Sequence, residues 1–184
     1  MSLFLIAMLI AIVGCKKDDS SSSPTSSNTT TTTSRLLGSG TISFTAGSLG
    51  SLSFSGSWAG TSSGSSGTGV EALTGSSATY VAGYTWHSSS NWDIATLLLW
   101  TNGTGTRTNS SIASDFSFTF VKGGTSATDQ SNSYSLTLGT CNVTNFSSSG
   151  MQGTFSGTAT NNQNNTVSVT NGSFNVTFGT QSYY

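Results

Sequence analysis

The chain has 184 residues, a formal net charge of −1 and only 6% charged side chains, beside 34% hydrophobic residues and 22 glycines. One domain with a real core is possible, whereas a coiled coil, a charged helical bundle and a nucleic-acid binder are excluded: a soluble domain normally carries roughly 25% charge, and no basic patch can be assembled here. Most of the remainder is Ser, Thr, Asn and Gln, without the self-repulsion behind charge-driven disorder.

Residues Leu3 to Val13 form an unbroken apolar run. It is shorter than the ~20 residues of a transmembrane helix and fits the apolar region of a secretory signal. Ile12-Val13-Gly14-Cys15 follows directly. These four residues resemble the lipobox of bacterial lipoproteins. The resemblance implies that residues 1–14 are a signal peptide and that Cys15 is lipidated. Two or three acyl chains (palmitate-like) would hold the protein on a membrane where one is marginal. Lys16-Lys17-Asp18-Asp19 and a Ser/Thr tract to Ser34 come next. A Cys followed by lysines and paired acids resembles the surface-export signal of Bacteroidota lipoproteins, which implies an outer-membrane, lipid-anchored protein exposed at the cell surface. Residues 15–35 then read as a flexible tether, because a Ser/Thr tract has nothing to bury.

From residue 36 to 184 the hydrophobic period is two, with Gly- and Ser-rich breaks between segments. That pattern predicts an all-β domain, a single antiparallel β-sandwich or flattened β-barrel of about eight to ten strands. Ile42 and Phe44 open the series, followed by Leu52, Phe54 and Trp58. Tyr80, Ala82, Tyr84 and Trp86 form a third apolar face. In the next strand Trp92, Ile94, Leu98 and Trp100 share one face while Ala95, Leu97 and Leu99 fill the other, as in a central or covered strand. Phe116, Phe118 and Phe120 make a further face, Tyr134, Leu136 and Leu138 another, and Val167 with Val169 the last. Asn171-Gly172 reads as a two-residue hairpin turn pairing Thr170 with Ser173, Val169 with Phe174 and Val167 with Val176. The stretch from Gly153 to Phe178 resembles the closing strands of small uncharacterised β-domain lipoproteins of the same bacterial group, which supports the fold and implies no activity. A membrane-spanning barrel shares the alternation and is the structural rival.

The chemistry-bearing residues are few. With Cys15 acylated, Cys141 is the remaining thiol, and its alternation with Val143 predicts a buried apolar cysteine. One His and no second Cys at ligand spacing argue against zinc, and no cofactor is implied. Gly60-Thr61-Ser62-Ser63-Gly64 matches the G-x-S-x-G of serine hydrolases, but a Gly/Ser loop stands where the motif needs a helix. Gly56-Ser57-Trp58 resembles the G-x-W of lipocalins, which keeps a carrier of a small apolar ligand among the alternatives, beside a structural coat protein.

The candidate site is the segment from Tyr84 to Asp93. Trp86 and Trp92 stand at the ends of two strands joined by a short polar loop, with His87, Asn91 and Asp93 between or beside them. Flat aromatic faces covering C–H bonds, with polar groups reading hydroxyls, are what glycan binding uses. Parity sets the two tryptophans on the apolar faces of their strands and His87, Asn91 and Asp93 toward water. The reading is a non-catalytic surface module for extracellular glycan or adhesion.

Overall fold

The computed structural model describes residues 38–57, 67–88, 91–111, 114–125 and 131–179. The leader and tether, Trp58 and the Gly60–Gly64 motif lie outside them. Ten strands follow in chain order: β1 (Ser39–Ala46), β2 (Ser51–Gly56), β3 (Gly67–Thr74), β4 (Thr79–Ser88), β5 (Asn91–Leu99), β6 (Gly105–Asn109), β7 (Phe116–Gly124), β8 (Ser133–Ser147), β9 (Gly150–Asn161) and β10 (Thr166–Thr177). A 3₁₀ turn, Gly47–Leu49, joins β1 to β2. The all-β class and the strand number agree with the period-two pattern.

Nine strands form one antiparallel path, β2-β1-β10-β9-β8-β7-β5-β4-β3, and β6 pairs with β8 off that path. An odd number of antiparallel strands leaves the two end strands running the same way. The seam between β2 and β3 is accordingly crossed by a parallel bridge, Ser57 to Val70. Beside it the Gly179 N–H donates to the Ala72 carbonyl at 3.0 Å. The sheet thus curls into a nearly closed barrel, flattened where β1 and β2 lie against β3 and β4.

Phenylalanines fill the interior. Phe118 meets Phe44 edge-on at 5.0 Å and Phe155 at 4.5 Å, and Phe120 stacks on Tyr134 at 5.1 Å. Such pairs add about 0.5–1.5 kcal/mol each to what area burial gives. Ile42, Leu52, Phe54, Val81, Leu97, Val143 and Phe174 complete the cluster. The opposite faces of β1, β2, β9 and β10 carry Thr41, Ser53, Thr154 and Ser173, all exposed. On these four strands the inside is apolar and the outside hydroxylated, the reverse of a membrane-spanning barrel, whose apolar band faces lipid.

β-Bulges correct two readings of parity. Across β8 and β9, Leu136 pairs with Ala159 but Leu138 with Thr158, so β8 carries one extra residue. Tyr134 and Leu136 face inward before it, Cys141 and Val143 after it, and Leu138 is turned out with 62% exposure rather than continuing the apolar face. Asn171-Gly172 is likewise not a hairpin turn. β10 runs straight through it, with Val169 opposite Gly157 and Gly172 opposite Phe155 on β9, one residue in excess. A type I′ turn needs φ > 0 at both central residues. Asn171 supplies φ 53°, and Gly172 is not among the positive-φ residues, so the pair makes a bulge. The turn between β9 and β10 is built instead by Asn161, whose Oδ1 accepts the N–H groups of Gln163 and Asn165 at 3.0 and 2.9 Å, with Asn164 at φ 63°.

Candidate functional site

The β4–β5 hairpin sets the geometry of the five candidate residues. Trp86 pairs with Trp92, Tyr84 with Ile94, Ala82 with Thr96 and Tyr80 with Leu98. The alternate pairs are Val81 with Leu97, Gly83 with Ala95 and Thr85 with Asp93. Val81, Ala95 and Leu97 belong to the core cluster, so the second set faces inward and the tryptophan set faces out. The sequence sorts Trp86, Trp92 and Asp93 into two faces correctly but with inside and outside exchanged: the aromatic face is the outer one and Asp93 lies on the inner, while His87 and Asn91 are exposed as expected.

The outer face carries four aromatic side chains, Tyr80, Tyr84, Trp86 and Trp92. Trp92 is 9% exposed because its ring lies over β7, where a Cβ on Gly124 would come within 3.1 Å of Cζ2 and Cη2. Trp86, half-buried, meets it at 5.8 Å and 46°, and its Nε1 is buried with no hydrogen-bond partner. Its neighbour on β3 is Gly67, beside which a Cβ would meet nothing within 4 Å, so that flank of Trp86 is open. The Tyr80 and Tyr84 hydroxyls hydrogen-bond each other at 3.0 Å, and Ala82 between them is fully buried. Burial first, and the neighbouring phenol and Glu71 after it, push the Tyr84 hydroxyl well above its ordinary range, so it stays a neutral hydrogen-bonding group. Beyond Tyr80 the face ends in a cleft of about 530 Å³ lined by Leu73, Tyr80, Leu98 and the Gly75–Ala78 turn.

The polar trio sits at the same end of the hairpin but serves the backbone. β4 carries an extra residue at His87, and β7 one at Lys122-Gly123, where Gly123 adopts φ 65°. Asp93, 7% exposed, lies between these two bulges. It accepts the Gly123 N–H at 2.7 Å on Oδ1 and the His87 Nε2–H at 3.0 Å on Oδ2, with Lys122 Nζ at 3.6 Å. Burial alone would raise its carboxyl pKa, but the His87 and Gly123 hydrogen bonds and the Lys122 charge outweigh burial and hold it below the usual range. The carboxylate expected to face water is therefore committed to closing two bulges. His87 is 47% exposed, and Asn91 is exposed with its Oδ1 about 4.0 Å from where a Gly123 Cβ would stand. The structure brings Trp86 and Trp92 together on one face and His87, Asp93 and Lys122 together at the rim of the other.

Besides Asn161, two buried polar residues have no counterpart in the sequence reading. Arg107, 5% exposed, donates to the Thr101, Gly103 and Gly105 carbonyls at 2.9, 2.7 and 3.1 Å and to Thr101 Oγ1 at 3.3 Å. Its clue was available: it is one of two arginines in a nearly uncharged chain, with two glycines just before it. Thr79, fully buried, donates to Asn102 at 2.8 Å. Cys141, opposite Arg107 on β8, is buried as expected. Burial pushes its thiol up to about 12 against the opposing pull of Arg107, which leaves it inert. Among the described residues no group of three His, Cys, Asp or Glu side chains could hold a metal ion. Comparison of the chain with protein-family descriptions, with curated proteins and with solved structures found no match.

Proposed function

We propose that the protein is a lipoprotein anchored through acyl chains on Cys15 to the outer membrane and exposed at the cell surface, and that its β-domain is a non-catalytic module for binding extracellular glycan or for adhesion. The observation that carries the binding role is the outward aromatic face, with Trp86 and Trp92 paired across β4 and β5 and in line with Tyr84 and Tyr80. Aromatic rings set on a rigid sheet, above all that of the half-buried Trp86, can cover the C–H faces of sugars at little conformational cost on binding. The nearly uncharged surface suits hydrogen bonding to hydroxyl-rich polymers and offers no electrostatic steering. The commitment of Asp93 to two bulges speaks against a His87–Asp93 catalytic pair. The phenylalanine-filled interior speaks against a lipocalin-like carrier, which needs an empty apolar cavity.

Two experiments test this reading. Fractionation of cells expressing Cys15→Ala should move the protein out of the detergent-soluble membrane fraction, and unchanged partitioning would refute the anchor. In polysaccharide pull-downs Trp86→Ala, checked by melting to be folded, should bind about tenfold more weakly, since stacking on a ring contributes about 1 kcal/mol or somewhat more. Undiminished binding by folded Trp86→Ala and Trp92→Ala would remove these rings from the site.

A further inference from the structure

The outer face of β4 and β5 is not two isolated tryptophans but a continuous strip. Along β4 the outward positions are Tyr80, Ala82, Tyr84 and Trp86, and along β5 they are Leu98, Thr96, Ile94 and Trp92. The strip ends at one side in the Trp86–Trp92 pair and at the other in the cleft beneath Leu73, Tyr80 and Leu98. In its middle the Tyr80 and Tyr84 hydroxyls meet at 3.0 Å, and Ala82 between them is fully buried. On the β3 side it is bordered by Gly67 and Gly69, which raise no wall, then by Glu71 and Leu73.

Resting on the glycan reading above, we propose that this strip takes an extended, uncharged polysaccharide along the strand direction, engaging an internal run of about four sugar units rather than a single sugar or a chain end. Length is the first argument. Six residues separate Tyr80 from Trp86, and at ~3.3 Å per residue this is roughly 20 Å, or about four pyranose units of ~5 Å each. Shape is the second. A site for a single sugar is a concave pocket with converging polar groups, whereas here the half-buried Tyr80, Tyr84 and Trp86 follow one another in line along β4. Charge is the third. There is no Lys or Arg at these outward positions to hold an acidic polymer, which favours a neutral one. The unpartnered Trp86 Nε1 marks where the layer is short of an acceptor, and a small rotation of the half-buried ring would offer it to a sugar hydroxyl.

The test is calorimetric titration of the full-length protein in detergent with β-1,4-glucan, β-1,3-glucan, β-1,4-xylan and β-1,4-mannan oligomers of two to eight units, and with polygalacturonate. For a neutral series that binds, affinity should rise at least tenfold between two and about four or five units and then level off. Tyr80→Ala should weaken the longer oligomers several-fold and leave the dimer unchanged. Gly67→Leu, which enters open space beside Trp86 and so leaves the fold intact, should weaken every oligomer. Equal affinity for dimer and hexamer, with Tyr80→Ala silent, would overturn the strip while leaving glycan binding in place. Preference for polygalacturonate would overturn the neutral assignment. Failure of every polymer to bind, or a stable homodimer that buries Trp86, would overturn both the strip and the glycan reading.

Discussion

Replacing Gly83 by valine is expected to cost the domain about 3 kcal/mol or more, the upper end of what overpacking a core does, and to leave much of the protein unfolded. Gly83 faces inward from β4 where the barrel is flattest. A Cβ there would come within 2.7 Å of Ile42 Cγ2 and of Phe54 Cβ, and closer still to the Phe54 ring. Ile42 and Phe54 are partners across β1 and β2 and both are fully buried, so neither can move aside without dragging its strand. Even alanine should be damaging. Urea denaturation followed by near-ultraviolet circular dichroism measures the loss, and the Gly83→Ala, Phe54→Leu pair checks the cause. If crowding is responsible, the double variant is more stable than the sum of the single effects; simple additivity would point elsewhere.

Replacement of Arg107 by methionine should lower stability by about 3 kcal/mol, because hydrogen bonds to a charged donor are worth more than neutral ones and the loop carbonyls lose their partner. The guanidinium satisfies three carbonyls and a hydroxyl of residues 101–105 at once. Lysine would keep the charge but not the planar fork that reaches several acceptors together, so Arg107→Lys should recover only a fraction. Hydrogen exchange locates the effect: protection should fall first in the amides of residues 100–108. An Arg107→Met protein with unchanged protection there would show that the loop holds itself.

Much of the fold was legible because inward and outward residues alternate along an uninterrupted strand. Phe116, Phe118 and Phe120 were assigned to one face and occupy the core together. What could not be read was where the alternation resets. One surplus residue in a bulge shifts parity by one, as a two-residue reverse turn also does, so Val169 and Phe174 share a face under either arrangement. That is why the pattern around Asn171-Gly172 agreed with a hairpin that does not exist. The competing signal, four asparagines within Asn161 to Asn165, was the stronger mark of a turn. The candidate site was half legible for a related reason. The alternation puts Trp86 and Trp92 on one face of a hairpin, as the structure has them, but it does not say that this apolar face is the outer one. No local pattern says which side of a two-sided apolar strand a barrel will enclose. Asp93 escaped because its role depends on bulges in two other strands.

The seam has a mechanical consequence. Gly38 enters the domain where Gly179 leaves it, both against Ala72 at the end of β3, while Trp86 stands at the far end of β4. A chain pulled from its N-terminal side therefore draws β1 lengthwise, and β1 is bonded to β10 on one flank and β2 on the other. Tension between that point and anything held at the tryptophans runs along the strands, so the rungs of both ladders share the load together instead of parting one at a time. A domain loaded this way resists being torn open along the line from Gly38 to the tryptophans.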